Sequence, residues 1–195
     1  MPPDYTENLK AKINDLRTKF ENLFENAISD LLKEKKVEKE VIKDRRQMIR
    51  GELDDTRDVY SLLIEDVLPK NEKFLKKYRR SINAVQSNLE RLMALHRSIV
   101  FMPGDPQYFE LRRGLYEYLE YLLVLHRQIY DYIALNKDYQ KAEECIDAEE
   151  IRKKIIRCIK ADNDDDVFEL YNVYFEATRI NRKLEQLEEE FGLGV

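Results

Sequence analysis

Helix breakers are scarce in this chain. Its 195 residues hold five Gly and five Pro, whereas Gly alone averages about 7% of residues in ordinary domains. Tryptophan is absent. No run approaches the ~20 apolar residues that span a bilayer. The opening stretch MPPDYTENLK has no apolar core of the kind a signal peptide carries. Two cysteines, Cys145 and Cys158, make no disulfide framework. These absences lead to the expectation of an intracellular, cytoplasmic, soluble protein. There is no Gly-rich phosphate loop, no nucleophile elbow and no Cys-x-x-Cys.

Charge is plentiful, at 37% of residues against a usual ~25%. Few breakers and many charges point to long solvated helices. The net charge of −5 is uneven: residues 1–100 carry 21 Lys+Arg and 18 Asp+Glu, and residues 101–195 carry 13 and 21. Such asymmetry can orient partners or copies of the chain. It is not the strongly basic footprint of a nucleic-acid binder.

Apolar residues recur with helical spacing from end to end. Asp4 and Glu7 have capping-box spacing, and Leu9, Ile13, Leu16, Phe20 and Leu23 follow at steps of three and four. The stretch 33–46 has 11 charged residues of 14 and reads as a solvated helical face. Ile49, Leu53, Thr56, Tyr60, Leu63 and Val67 resume the seam, and Pro69 stops it. Residues 4–68 form either one long helix or two. Leu75, Tyr78, Ile82, Val85, Leu89, Leu92, His96 and Ile99 then step without a miss. The loop 101–107 follows, with Asp105 and Pro106 as an N-cap and first-turn pair.

Residues 106–144 read as the most apolar helix, with two seams. One is Phe109, Tyr116, Leu119, Leu123, His126, Tyr130 and Ile133. The other is Leu111, Leu115, Tyr118, Leu122, Leu125, Ile129 and Tyr132. A helix apolar on two sides is central in a bundle or shared with another subunit. On the second alternative Leu115, Tyr118, Leu122, Leu125, Ile129 and Tyr132 are interface candidates. Two more capping boxes, Asp147 with Glu150 and Asp166 with Glu169, open the last two helices, and Gly192 ends the second. The fold class expected is therefore all-α: an elongated antiparallel bundle of long coiled-coil-like helices over 1–145, with a C-terminal helical hairpin, 146–195, packed on it in one domain.

Three functions compete. Residues 91–96 read RLMALH, and the spacing of Arg91 and His96 resembles the R-x(4–6)-H motif of HEPN-type ribonucleases, helical bundles that act as dimers. That resemblance implies metal-independent RNA cleavage with Arg91 and His96 as the catalytic pair. The seam gives His96 a different role, as a packed residue near a helix end. The segment 70–80 holds six basic residues and one acid. Lys70, Lys73, Lys76, Lys77, Arg79 and Arg80 could hold phosphates of RNA, DNA or an anionic membrane. Seven of the 12 tyrosines fall in 108–139, and their seam positions favour packing over base stacking.

No metal site is expected. If 101–107 closes an antiparallel hairpin, His96 and His126 lie roughly 24 Å apart along its axis. Residues 162–169 alternate acids like a calcium loop, but Val167 and Val173 replace the Gly and Glu such a loop needs. The reading that fits best is a non-enzymatic interaction or scaffold protein without a cofactor, self-associating or built into a larger assembly, with a protein partner and no evident small-molecule substrate.

Overall fold

A computed structural model describes residues 5–33, 43–44, 47–48, 51, 54, 72–143, 146–161 and 164–193. Among these residues the chain is all-α, with no strand. The bounded helices are α1 (Tyr5–Leu31), α2 (Glu72–Phe101), α3 (Phe109–Leu135), α4 (Ala148–Ala161) and α5 (Asp165–Phe191), with one 3-10 turn at Pro106–Tyr108. Residues 43–44, 47–48, 51 and 54 are helical too. The Asp4 cap, the seam from Ile49 to Val67, Pro69, Lys70 and Cys145 lie outside the described residues.

Side-chain pairs set the helix directions. Lys10 Nζ meets Asn136 Oδ1 at 3.0 Å, and Arg17 Nη2 meets Asp131 Oδ1 at 2.6 Å, so α1 and α3 run antiparallel. Arg80 and Arg91 reach Glu190 and Glu176, at 2.9 and 3.8 Å, so α2 and α5 are antiparallel as well. Tyr118 stacks near Tyr174, and Tyr132 near Phe191, each at 6.4 Å between centroids, so α3 and α5 run parallel. It follows that α1 and α2 are also parallel. Their C-terminal ends meet where His96 contacts Asp30.

This departs from the expected all-antiparallel order. Among the described residues, the four long bounded helices run up, up, down, down, an arrangement known among helical bundles. Both α1 and α5 pack against α2 and α3, which leaves α2 and α3 on a diagonal. The loop 102–108 is therefore not a hairpin between neighbours. Tyr130 Oη still spans the diagonal and donates to Ser81 O at 2.8 Å. α5 takes the place beside α2 that a hairpin would give to α3.

α3 is shorter than the expected 106–144. It stops at Leu135 because Asn136 turns left-handed, with φ 54°, a conformation Asn tolerates at a helix end. Most positions of both seams are buried, and α3 packs against α1, α5 and α4, while Phe109 and Tyr132 stay exposed. Beyond α3, Tyr139 donates to Glu188 on α5, and Ile146 packs against the core. α4 then closes over α3 and α5 through the buried Ile151 and Ile155.

The caps are mostly local and as expected. Asp105 accepts from Gln107 N and Asp147 from Glu150 N, both at 2.9 Å. Gly192 ends α5 with φ 68°, a left-handed conformation that favours glycine. Asp166 differs. Asp164 is the N-cap of α5, accepting from Asp166 N at 3.0 Å. The Asp166 carboxylate is wholly buried and takes Gly104 N at 2.9 Å and Asp105 N at 2.6 Å. Its charge satisfies two loop amides, and this bolts the 102–108 loop to the start of α5.

Candidate functional site

The best-defined polar cluster lies between α1 and α3. The buried seam of α3 brings His126 against Phe20 and Glu21, one turn beyond Arg17. The imidazole is sandwiched between Phe20 and Tyr130, with both ring centroids 4.5 Å away. Its Nδ1 meets Glu21 Oε1 at 3.2 Å. Arg17 Nη1 reaches the same oxygen at 3.2 Å, and Arg127 Nε reaches Oε2 at 3.5 Å. Arg17 also pairs with Asp131, and Arg127 with Glu25.

Burial favours the neutral form of both partners, yet they respond differently. Glu21 is held below its ordinary value of 4.5: burial raises it, but the His126 hydrogen bond and the charges around it prevail. His126 is pushed below 6.5, because burial outweighs the pull of Glu21, and Arg17 and Arg127 add repulsion. The consistent state is a carboxylate on Glu21, neutralised by the two arginines, and a neutral imidazole. Nδ1 then carries the proton and donates it to Glu21, which leaves a bare lone pair on Nε2. That atom is buried and has no hydrogen-bond partner.

Arg91 and His96 are not brought together. His96 is 8% exposed, and its Nε2 lies 3.0 Å from Asp30 Oδ2 on α1. Lys33 Nζ binds the other oxygen of Asp30 at 2.7 Å. Arg91 turns instead toward Glu176 on α5. The two histidines sit nearer than a hairpin would put them. Their partners on α1, Asp30 and Glu21, are nine residues apart, or about 14 Å along the axis. Among the described residues no group of three or more His, Cys, Asp or Glu could hold a metal ion.

The basic segment is exposed at Lys76, Lys77, Arg79 and Arg80. Among these cations, Lys77 Nζ sits 5.6 Å from the centroid of Phe191, and Arg80 pairs with Glu190. The side chain of Lys73 and all of Lys70 fall outside the described residues. Of the interface candidates, Leu115, Tyr118, Leu122, Leu125 and Ile129 are at most 1% exposed. They are buried within this chain, with Tyr118 beside Tyr174 of α5. Tyr132 alone remains exposed, with its ring edge against Phe191.

Three phenylalanines are exposed at one end of the bundle: Phe101, Phe109 and Phe168, at 46%, 44% and 44%. Each lies within four residues of the Asp166 bolt or of the contact from Tyr108 Oη to Asp164. Phe109 occupies a position of the first α3 seam yet is exposed, and Phe101 ends α2 rather than lying in the loop. Guanidinium groups lie over two of these rings, Arg97 over Phe101 and Arg112 over Phe109. No helix among the described residues is long and apolar enough to cross a membrane. The chain matches no protein-family model, no curated protein and no solved structure.

Proposed function

We propose that this protein is a non-enzymatic helical interaction module, self-associating or built into a larger assembly, and that its contact surface is the loop end of the bundle. One observation carries the reading. Phe101, Phe109 and Phe168 are each exposed at that end, while most core positions of the long helices among the described residues are buried. Clustered exposed aromatics mark protein contact sites more often than solitary ones do. This moves the contact surface away from the second seam of α3.

Two other readings draw less support. A ribonuclease with Arg91 and His96 needs both side chains on one phosphate, and their partners lie on different helices. A polyanion site on residues 70–80 needs cations that Glu190 and Phe191 already engage in part. Binding through phosphates would fall steeply between 50 and 200 mM salt, roughly 10³-fold or more for six contacts.

The test is light scattering on the full chain, combined with capture of partners from its native host, for the parent and for Phe101→Glu with Phe168→Glu. The reading expects an oligomer or a specific partner that the double variant loses while its helical content is kept. A monomer whose partners ignore both substitutions overturns it.

A further inference from the structure

The centre of the bundle holds polar atoms that the protein itself does not satisfy. His126 Nε2 is one. The side-chain amide of Asn88 on α2 provides two more: Nδ2 and Oδ1 are both buried without a hydrogen-bond partner, in a residue 1% exposed. Buried polar groups are rarely left so, because each lost hydrogen bond carries its full desolvation penalty.

Two independent registers bring these residues to the same level. The first runs across the diagonal from Tyr130 and Ser81, which are hydrogen-bonded. His126 lies four residues from Tyr130 toward the start of α3, and Asn88 seven residues from Ser81 toward the end of α2. Because the helices are antiparallel, both steps go the same way, about 6 and 10.5 Å along the axis. The second register runs through α1. His96 is level with Asp30. Eight residues back, Asn88 is level with Asn22, next to the Glu21 that binds His126. Both routes leave the two side chains within about one helical turn along the axis, on helices that face each other across the core.

Their chemistry is complementary but incomplete. The lone pair of Nε2 needs a donor. The Asn88 amide offers two N–H groups and a carbonyl, so it can both give and accept. Water does the same, and internal waters characteristically bridge two or more such groups. We propose that an ordered internal water bridges His126 Nε2 and the Asn88 amide, in a hydration site at the middle of the bundle. A metal ion is the wrong guest, since the set offers one imidazole nitrogen and a neutral amide. The water donates to Nε2 and accepts from Asn88 Nδ2, and so links α2 to the Glu21 network of α1 and α3.

The test uses the full chain in solution. Oxygen-17 and deuterium relaxation dispersion reports internal waters of long residence, and water-to-protein cross-relaxation locates them at labelled Asn88 and His126. The expected result is a long-lived water with cross-peaks to both side chains, and one such water fewer in Asn88→Leu and in His126→Phe. Absence of cross-peaks from water to both residues in the parent protein overturns the proposal, whether or not the variants fold. So does a direct Asn88–His126 hydrogen bond, read from coupling between the amide and the ring nitrogen. A water that survives Asn88→Leu unchanged in a folded variant does the same.

Discussion

His96 and Arg91 point to different helices, His96 to Asp30 on α1 and Arg91 to Glu176 on α5. Five residues of α-helix turn the chain through 500°, which separates the two by about 140°. The histidine joins two parallel helix ends, and the arginine ties α2 to its antiparallel neighbour. Replacing His96 with Ala should lower stability by about 1–3 kcal/mol, through a small cavity and the loss of one hydrogen bond to Asp30. Arg91→Ala should change it by about 0.5 kcal/mol or less, since the pair is long and partly exposed. Urea unfolding of both variants checks this. Metal-independent RNA cleavage by the pure protein, lost in both variants at unchanged stability, would reverse the assignment.

Acid should loosen α1 in two stages. His126 titrates below 6.5 in the fold, so the unfolded chain takes up its proton first. Stability is therefore lost as pH falls through 6.5, down to the depressed value. Glu21, Asp30 and Asp131 sit below their ordinary values; burial raises each, but hydrogen bonds and nearby cations prevail. Their contribution is whole above the ordinary carboxylate range and disappears as pH drops through the depressed values. Denaturation midpoints measured from pH 7.5 to 3 should show both stages. In His126→Phe the upper one should be gone and the lower retained through Asp30 and Asp131, with the share of Glu21 reduced.

Leu115 and Leu123 are 0% and 5% exposed, on the two seams of α3. Leu115→Asp and Leu123→Asp should each cost several kcal/mol, because each buries a charge without a partner. Neither should yield a stable, dissociated monomer. Differential scanning calorimetry together with light scattering separates these outcomes.

Asp166 accepts two backbone N–H groups while wholly buried. Asp166→Ala should destabilise by about 2–4 kcal/mol, since both amides lose a charged acceptor. Asp166→Asn should cost less, because its carbonyl can keep one of them. Hydrogen exchange at Gly104 and Asp105 should rise in both variants, further in the alanine one.

The helical seams were legible because their period is local. His96 sits on a run of eight positions stepping by three and four, and the structure buries it. Asp105, Asp147 and Gly192 act at distances of two or three residues, so their roles were legible too. Asp166 was misread for the opposite reason. Its carboxylate acts on amides 61 and 62 residues away, and local spacing offered only a capping box. The two seams of α3 announced two covers without saying which. A neighbouring helix of the same chain and a helix of another subunit impose the same pattern. Direction was hidden as well, because a short loop suggests an adjacent antiparallel neighbour, and here it joins helices on a diagonal. The water-facing candidates His126 and Asn88 differ in the same way: His126 stood out as a seam histidine, while a lone buried Asn carried no periodic signal.

The up-up-down-down order also bears on how fast this protein finds its fold. Helical bundles usually fold quickly because helices adjacent in sequence pack together. Here α2 and α3 are joined by a short loop yet take opposite corners, so side-by-side packing of the two is not native, the Tyr130–Ser81 bond across the diagonal apart. Among the described residues, partners of α1 are remote: His96 is 66 residues from Asp30, and His126 is 105 from Glu21. Long loops must close before those contacts reward the chain. Stopped-flow refolding should therefore run slower than for an up-down bundle of equal length, and substitutions on α1 should mainly alter the unfolding rate.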